Sequence, residues 1–130
     1  MKPGFEIGGI DHVVLRVRDL DRSIAFYRDV IGAVEERRVK SINLVQLRAG
    51  SSLIDLVPAD GDLSAAPGNM EHFCLTITPF DPDSLMRHLS AHRVDAGEIA
   101  ERYGAEGHGP SVYIKDPDGN VVELKAGASS

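Results

Sequence analysis

Four residues that can bind a divalent metal stand inside short apolar segments of the chain: His12, Asp55, His72 and Glu123. Apolar residues occupy alternate positions around each of them, which is the pattern of a β-strand with two different faces. The apolar face is expected under a helix, so the four polar side chains share the helix-free face. Two imidazoles and one or two carboxylates, with positions left for water or substrate, suit Fe(II), Mn(II), Ni(II), Co(II) or Zn(II). The residue types therefore predict a divalent-metal site.

The elements that must carry these residues occur in the same order twice. Each half of the chain predicts a strand, a helix and three further strands, and such repetition indicates two related modules. Asp21 is the predicted N-cap of the first helix and Gly32 its C-terminal stop. In the first half the strands are predicted at 10–17, 34–39, 42–48 and 52–57 and the helix at 21–31; in the second half the strands are predicted at 70–78, 98–103, 111–115 and 121–125 and the helix at 82–91.

This organisation predicts the α+β class and a single domain over residues 1–130. The first module is expected at about 8–58 and the second at about 70–126. Between them, residues 59–69 are rich in Gly, Pro, Asp and small side chains and are predicted to be a linker. The turn-forming residues 116–120 are expected to deliver Glu123 into the last strand.

Two segments resemble a known family. DHVVLRVRDL at 11–20, followed by SIAFY at 23–27, resembles the opening of glyoxalase and extradiol-dioxygenase type proteins, the vicinal oxygen chelate superfamily. YIKDPDGNVVEL at 113–124 resembles their closing motif. The resemblance implies that His12, His72 and Glu123 are the metal ligands. It also implies two tandem βαβββ modules that form a curved mixed sheet around a metal cleft.

Asp55 departs from the family pattern, in which Glu or Gln is usual at this position. Its side chain is one methylene shorter, so three roles are open: direct metal ligation, a hydrogen bond that orients an imidazole, or a solvated position at the rim of the cleft. Glu123 and Asp55 are also the candidate catalytic proton carriers, because either carboxylate could accept a proton if it is displaced from the metal.

Three further residues are candidates for substrate binding. Arg16 shares the predicted strand face of His12, and Tyr113 alternates with apolar neighbours in the strand before the closing turn. His108 lies in the glycine-rich segment 102–110, which is expected to be a loop able to cover the cleft as a lid. The alternatives are a solvated arginine, a packing tyrosine and an ordinary loop.

The function that follows is a divalent-metal-dependent, glyoxalase-like enzyme of lyase or isomerase type. Its small substrate would chelate the metal through two neighbouring oxygens, so that the cation stabilises negative charge on them. An extradiol-type ring-cleaving dioxygenase and a non-catalytic drug-binding protein of the bleomycin-resistance kind are the alternatives. A thiol transferase acting on an epoxide antibiotic also keeps two His and one Glu.

The composition of the chain limits the classes of partner that it is expected to bind. A formal net charge of −6 and the lack of a basic stretch interleaved with aromatics argue against a nucleic-acid partner. No apolar run reaches membrane-spanning length, none resembles a signal peptide, and Cys74 is the single cysteine. A cytoplasmic protein without membrane contacts is expected. A homodimer is also expected, because a partner chain often completes the paired modules in this superfamily.

Overall fold

The computed structural model of the protein describes residues 3–59 and 69–128. The chain divides into two compact units, Met1–Asp60 and Gly61–Ser130. Each unit contains four strands in one mixed sheet, with its helix between the first and second strands. The predicted α+β class and the tandem βαβββ order are therefore confirmed. Residues 60–68 of the predicted linker lie outside the described residues.

The first unit forms a sheet in the order β1-β4-β3-β2. Strands β1 and β4 are parallel, and the remaining neighbours are antiparallel. A π-helical segment follows α1, and a short 3-10 turn precedes β3. The elements are β1 (His12–Val17), α1 (Leu20–Ala25), the π-helical segment (Phe26–Ile31), β2 (Val34–Val39), the 3-10 turn (Lys40–Ile42), β3 (Leu44–Ala49) and β4 (Ser52–Pro58).

The first helix begins earlier than predicted. Asp19 has an extended backbone, and its Oδ1 accepts the backbone N–H of Arg22 at 3.1 Å, so Asp19 is the N-cap. The prediction of Asp21 as the cap was wrong, because the helix starts almost directly after β1 and Asp21 falls within its first turn. Gly32 ends the segment at φ 90°, a left-handed conformation that favours glycine, as predicted.

The second unit repeats the arrangement, with the sheet order β5-β8-β7-β6. Strands β5 and β8 are parallel, and the other pairs are antiparallel. No helix among the described residues is long and apolar enough to cross a membrane. The elements are β5 (His72–Ile77), α2 (Pro82–Ala91), β6 (Ala100–Gly104), β7 (Gly107–Lys115) and β8 (Val121–Ala126).

The glycine-rich segment 102–110, predicted to be a loop, belongs to a β-hairpin. Tyr103 pairs with His108 and Gly104 with Gly107, so that β6 and β7 are joined by a two-residue turn. Gly107 has φ 94°, which this turn requires and which glycine adopts without strain. The prediction of a loop at 102–110 was wrong, because the glycines at 104, 107 and 109 lie in the paired strands of this hairpin.

The turn between β7 and β8 is organised by one buried carboxylate. Asp116 Oδ1 accepts the backbone N–H groups of Asp118 at 2.9 Å and Asn120 at 2.8 Å. Its Oδ2 accepts the Asn120 side-chain amide at 2.9 Å. These bonds fix the turn that leads into β8, and the turn chemistry predicted at 116–120 is present.

Each unit has its own apolar core, formed by the alternating residues opposite the candidate ligands. Burial of these side chains supplies the main stabilisation of the two sheets. The first core contains Leu15, Val17, Ile24, Tyr27, Val45, Leu47, Ile54 and Leu56, and the second contains Leu89, Val112, Ile114, Val122 and Leu124.

Candidate metal centre

Strand register places one histidine and one carboxylate on the same sheet face in each unit. In the first unit Val14 of β1 pairs with Asp55 of β4, so His12 stands two residues before the partner of Asp55. In the second unit Cys74 of β5 pairs with Glu123 of β8, and His72 stands two residues before Cys74. Residues two apart in a strand share a face, so each unit holds an imidazole beside a carboxylate.

The pair in the second unit is in direct contact. His72 Nε2 lies 3.2 Å from Glu123 Oε1, and the Glu123 residue is only 6% exposed. On the other side of the ring, His72 Nδ1 lies 3.1 Å from Glu71 Oε1. Tyr113 pairs with Glu123 across β7 and β8, and its ring packs edge-on against His72 with centroids 5.1 Å apart.

The tautomer of His72 decides what lies between its Nε2 atom and Glu123. A neutral imidazole with its proton on Nε2 would donate it to the Glu123 carboxylate. If Nδ1–H instead donates to Glu71, the Nε2 lone pair faces the carboxylate, both atoms are acceptors, and a proton or a cation must separate them. Two ligands each about 2.1 Å from a metal, at an angle of roughly 100°, lie about 3.2 Å apart, so the observed spacing fits a shared ion.

The pair in the first unit is arranged differently. His12 Nδ1 lies 2.7 Å from Asp11 Oδ2, and this hydrogen bond raises the pKa of His12, with a smaller contribution from the Asp55 charge. Asp55 is 4% exposed, and the side-chain amide of Gln46 donates to both of its oxygens, at 3.2 and 3.1 Å. The Gln46 amide supplies hydrogen-bond donors to the Asp55 carboxylate, whereas the Glu123 carboxylate contacts the His72 imidazole.

Each unit by itself offers donor atoms of the kind that a divalent cation binds. Each unit contributes an imidazole whose Nδ1 is occupied by an acidic side chain, which leaves Nε2 as the coordinating atom. Within the described part of either unit, no three His, Cys, Asp or Glu side chains are grouped closely enough to hold a metal ion. One unit therefore supplies two donors at most.

The substrate-binding candidates occupy three different environments. Arg16 is exposed on the β1 face that carries His12. Tyr113 lies beside Glu123, and the guanidinium carbon of Arg102 stands 4.4 Å from its ring centroid. His108 shares the sheet face of Val112 and therefore lies on the opposite face from Tyr113, where its ring contacts that of Tyr103. The structure does not bring His108 beside Glu123.

Sequence reasoning missed several neighbours of the candidate ligands. Gln46 could not be assigned to Asp55 before the β3–β4 register was known. Arg102 lies at the end of the predicted strand 98–103, but its contact with Ser111 could not be assigned before the β6–β7 register was known. A usable signal did exist for two others, since an acidic residue directly precedes each candidate histidine, Asp11 before His12 and Glu71 before His72.

Cys74 lies on the face of Glu123 but is a weak nucleophile. Partial burial raises the pKa of its thiol to about 11, and the Glu123 charge acts in the same direction while Lys125 opposes it. Because the thiolate is the reactive form, little of it is present near neutral pH.

The comparisons with known proteins agree with the fold and the motifs. Residues 9–124 match the model of the Glyoxalase/Bleomycin resistance protein/Dioxygenase superfamily. Virulence protein STM3117 of Salmonella typhimurium is 34% identical over 91% of this chain and 83% of its own length. Its crystal structure has a TM-score of 0.75, with 27% identity over 94% of this chain and 98% of that one.

Two further relatives are enzymes by name. The metallothiol transferase FosB of Shouchella clausii is 25% identical over 93% of this chain and 82% of its own length. The crystal structure of lactoylglutathione lyase from Agrobacterium tumefaciens has a TM-score of 0.69 and 26% identity, over 95% of this chain and 96% of that one. The chain therefore belongs to the Glyoxalase/Bleomycin resistance protein/Dioxygenase superfamily.

Proposed function

We propose that the protein is a divalent-metal-dependent, glyoxalase-like enzyme that acts on a small molecule with two neighbouring oxygens, by a lyase or isomerase reaction. The observation that carries this proposal is the contact of 3.2 Å between His72 Nε2 and the buried Glu123 carboxylate, a spacing that fits two ligands of one metal ion. His12 is the proposed third ligand, since it repeats the position and the acidic neighbour of His72 in the other unit.

A bound divalent cation would supply Lewis-acid stabilisation of negative charge on the substrate oxygens. The chain's own residues then have distinct tasks. Glu71 and Asp11 hold the imidazoles with Nε2 outward, and Glu123 contributes the negative charge that balances the cation. Asp55, with its carboxylate held by Gln46, is the proposed carrier of a substrate proton rather than a ligand.

The comparisons support a catalytic role in a general way. FosB is named a metallothiol transferase, and the Agrobacterium tumefaciens protein is named a lactoylglutathione lyase. A metal-dependent thiol transferase is therefore the second candidate function. For that reaction the attacking thiol would come from a second substrate, because the raised pKa of Cys74 disfavours its own thiolate.

Metal analysis tests the proposal first. Protein purified without added metal, then saturated with Mn(II), Ni(II) or Zn(II) and desalted, should retain about one ion per chain. His12→Gln and His72→Gln should each lower metal affinity by at least about tenfold, while His108→Gln, on the opposite face, should bind metal as the unchanged protein does. Equal retention by the His72→Gln and His108→Gln variants would contradict the assignment.

An activity panel then separates the reaction types. The metal-loaded protein should convert a hemithioacetal of a 2-oxoaldehyde, or another substrate with neighbouring oxygens, without consuming O₂. Oxygen uptake with a catechol that depends on Fe(II) or Mn(II) would identify a dioxygenase instead. Opening of an epoxide only in the presence of an added thiol would identify the thiol transferase. Binding of such compounds without any turnover would identify the drug-binding alternative.

We also propose a homodimer and a cytoplasmic location, both on the grounds given by the sequence. Strands β1 and β5 each lie at an edge of their sheet, and an edge strand has backbone groups available for pairing. Light scattering at micromolar concentration should give twice the chain mass of 14.0 kDa, and a monomer mass would refute the dimer.

A further inference from the structure

Lys125 is buried on the same sheet face as Glu123. It follows Glu123 by two residues in β8 and is only 4% exposed. In the described residues, 3–59 and 69–128, no hydrogen bond or ion pair engages its ammonium group. Among the described residues no buried side-chain nitrogen or oxygen lacks a hydrogen-bond partner. The carbon atoms of Lys125 are therefore buried while its ammonium keeps access to solvent, where an anionic ligand could reach it.

The β6–β7 hairpin leaves space for the Lys125 side chain. A Cβ atom added at Gly104 would lie 3.2 Å from Lys125 Cδ and Cε, and one added at Gly109 would lie 3.2 Å from Nζ. Both distances are shorter than ordinary contacts between carbon atoms and their neighbours. The two glycines therefore form a trough along which the lysine extends, with its ammonium at Gly109.

Arg102 approaches the same part of the sheet from β6. Its backbone pairs with Gly109 in register, and its Nη1 donates to the carbonyl oxygen of Ser111 at 2.8 Å and to Ser111 Oγ at 3.0 Å. Ser111 is in turn the register partner of Lys125. No ion pair joins Arg102 to a carboxylate within the described ranges. Two cationic side chains thus flank Ser111 without an acidic residue between them.

The nearby carboxylates are committed elsewhere. Glu106, at the tip of the hairpin, accepts the backbone N–H of Ala128 at 3.2 Å. Glu123 contacts His72 Nε2 on the adjacent part of β8. Both charges act on the thiol of Cys74: Glu123 raises its pKa and Lys125 lowers it. The face therefore changes from an anionic position at Glu123 to a cationic one at Lys125.

We propose that Lys125 and Arg102 form a binding subsite for an oxyanion group of the substrate, a carboxylate or a phosphoryl-type group. The inference rests on the proposed function for its meaning: a substrate held at Glu123 would carry its anionic group roughly 7 Å further along β8, the rise of two strand residues. The Arg102 guanidinium, already oriented by Ser111, would offer its remaining N–H groups, and Lys125 would offer a point charge.

The test measures binding of inorganic phosphate, methylphosphonate and acetate to chelator-treated protein, with acetamide as the neutral counterpart of acetate. Dissociation constants are taken from the rise in melting temperature with ligand at constant ionic strength. Lys125→Met removes the charge and keeps most of the length, and Lys115→Met, at an exposed position of the same unit, is the matched control. Arg102→Gln tests the second cation.

The oxyanions should stabilise the unchanged protein and the Lys115→Met variant, whereas acetamide should not. Lys125→Met should weaken oxyanion binding at least about tenfold, since loss of a charged hydrogen-bond partner in a buried site has effects of this order, and Arg102→Gln should weaken it several-fold. Without ligand, Lys125→Met should melt at the same or a higher temperature. Preference for phosphate and methylphosphonate over acetate would identify a phosphoryl-type group, and the reverse order a carboxylate.

Arg102→Gln keeps the test decisive if Lys125→Met does not fold, because it removes the second cation of the subsite and should weaken oxyanion binding on its own. Unchanged oxyanion binding in Lys125→Met, or in Arg102→Gln when the methionine variant cannot be studied, would overturn the subsite. Metal titrations on the same preparations separate the two proposals: metal binding without oxyanion binding refutes the subsite alone, and oxyanion binding without metal binding refutes the metal-dependent function alone.

Discussion

In the first unit Asp55 receives the Gln46 amide on both oxygens, whereas in the second unit Glu123, at the corresponding position, faces His72 at 3.2 Å. Both carboxylates are buried, and each lies on the strand that pairs directly with the histidine-bearing strand. The partner on the neighbouring antiparallel strand makes the difference, since Gln46 can donate to a carboxylate and the ring of Tyr113 packs on an imidazole. The same scaffold position can therefore hold a carboxylate that an amide satisfies or one that contacts an imidazole.

Two other corresponding positions follow the same division. Val57 in β4 corresponds to Lys125 in β8, and Val14 in β1 corresponds to Cys74 in β5, by strand register. The first unit thus has apolar residues where the second unit has a cation and a thiol. The comparison shows that single side-chain differences give the two repeated units different chemical groups while their pattern of core residues stays the same.

The largest expected effect tests whether the two cores are equivalent. Leu56 and Leu124 occupy corresponding, buried positions, so Leu56→Ala and Leu124→Ala should each lower the free energy of unfolding by about 2–5 kcal/mol. Urea unfolding followed by circular dichroism measures both, with Val34→Ala, at a position 64% exposed, as the control near zero. If one leucine variant lost no more free energy of unfolding than the Val34→Ala control, the two cores would not be equivalent.

The next effect tests whether the two carboxylates differ. Glu123→Gln keeps the side-chain volume and removes the charge, so metal affinity should fall by about tenfold or more. Asp55→Asn should leave metal affinity within about threefold, since Gln46 already satisfies the carboxylate, while turnover should fall if Asp55 moves a proton. A competition titration with a chelator measures both variants. Loss of metal binding in Asp55→Asn, with binding intact in Glu123→Gln, would reverse the proposed roles.

Thiol reactivity compares the positions of Val14 and Cys74. With its thiol pKa raised to about 11, Cys74 should be alkylated progressively faster as pH rises from 7 toward 11, without levelling off near pH 9. Cys74 is itself exposed, so the comparison rests on its raised pKa. In a Val14→Cys, Cys74→Ser double variant the thiol at position 14 should react about tenfold faster at pH 8, because more of it is thiolate even after allowing for lower intrinsic nucleophilicity. Iodoacetamide labelling of chelator-treated protein, followed by mass spectrometry, gives the rates. Equal rates at pH 8 would remove this difference between the units.

The smallest effect concerns a feature that the two units share. Asp11→Asn and Glu71→Gln should each weaken metal binding by only about threefold, because these carboxylates are largely exposed and water screens or replaces them. The same chelator competition measures both, with Glu101→Gln, also exposed, as the control. A loss in one variant with no change in the other would show that the two histidines are oriented by different means.

Sequence reasoning reached the fold because the strand alternation is regular in both halves. The order of elements and the bounds of α2 follow from the apolar periodicity, and register places the histidines and carboxylates on shared faces. The two strands of the β6–β7 hairpin were predicted in part, at 98–103 and 111–115, but the first residues of β7 were predicted as a loop because they are rich in glycine, and pairing with β6 outweighs that weak strand preference. The contacts of Asp55 with Gln46 and of Arg102 with Ser111 depend on register between distant segments, which no local pattern specifies.

The turn held by Asp116 sets a limit on how the length of this chain can vary. Its three accepted hydrogen bonds fix the number of residues between the end of β7 and the start of β8. Because strand side chains alternate, a one-residue insertion between positions 116 and 121 that shifts β8 would turn Glu123 and Lys125 toward the apolar core and bring Leu124 to the face that carries His72. A two-residue shift would restore the faces but move Glu123 along β5, away from His72. Changes of loop length are therefore expected to accumulate elsewhere in the chain, while the spacing from Asp116 to Glu123 stays constant.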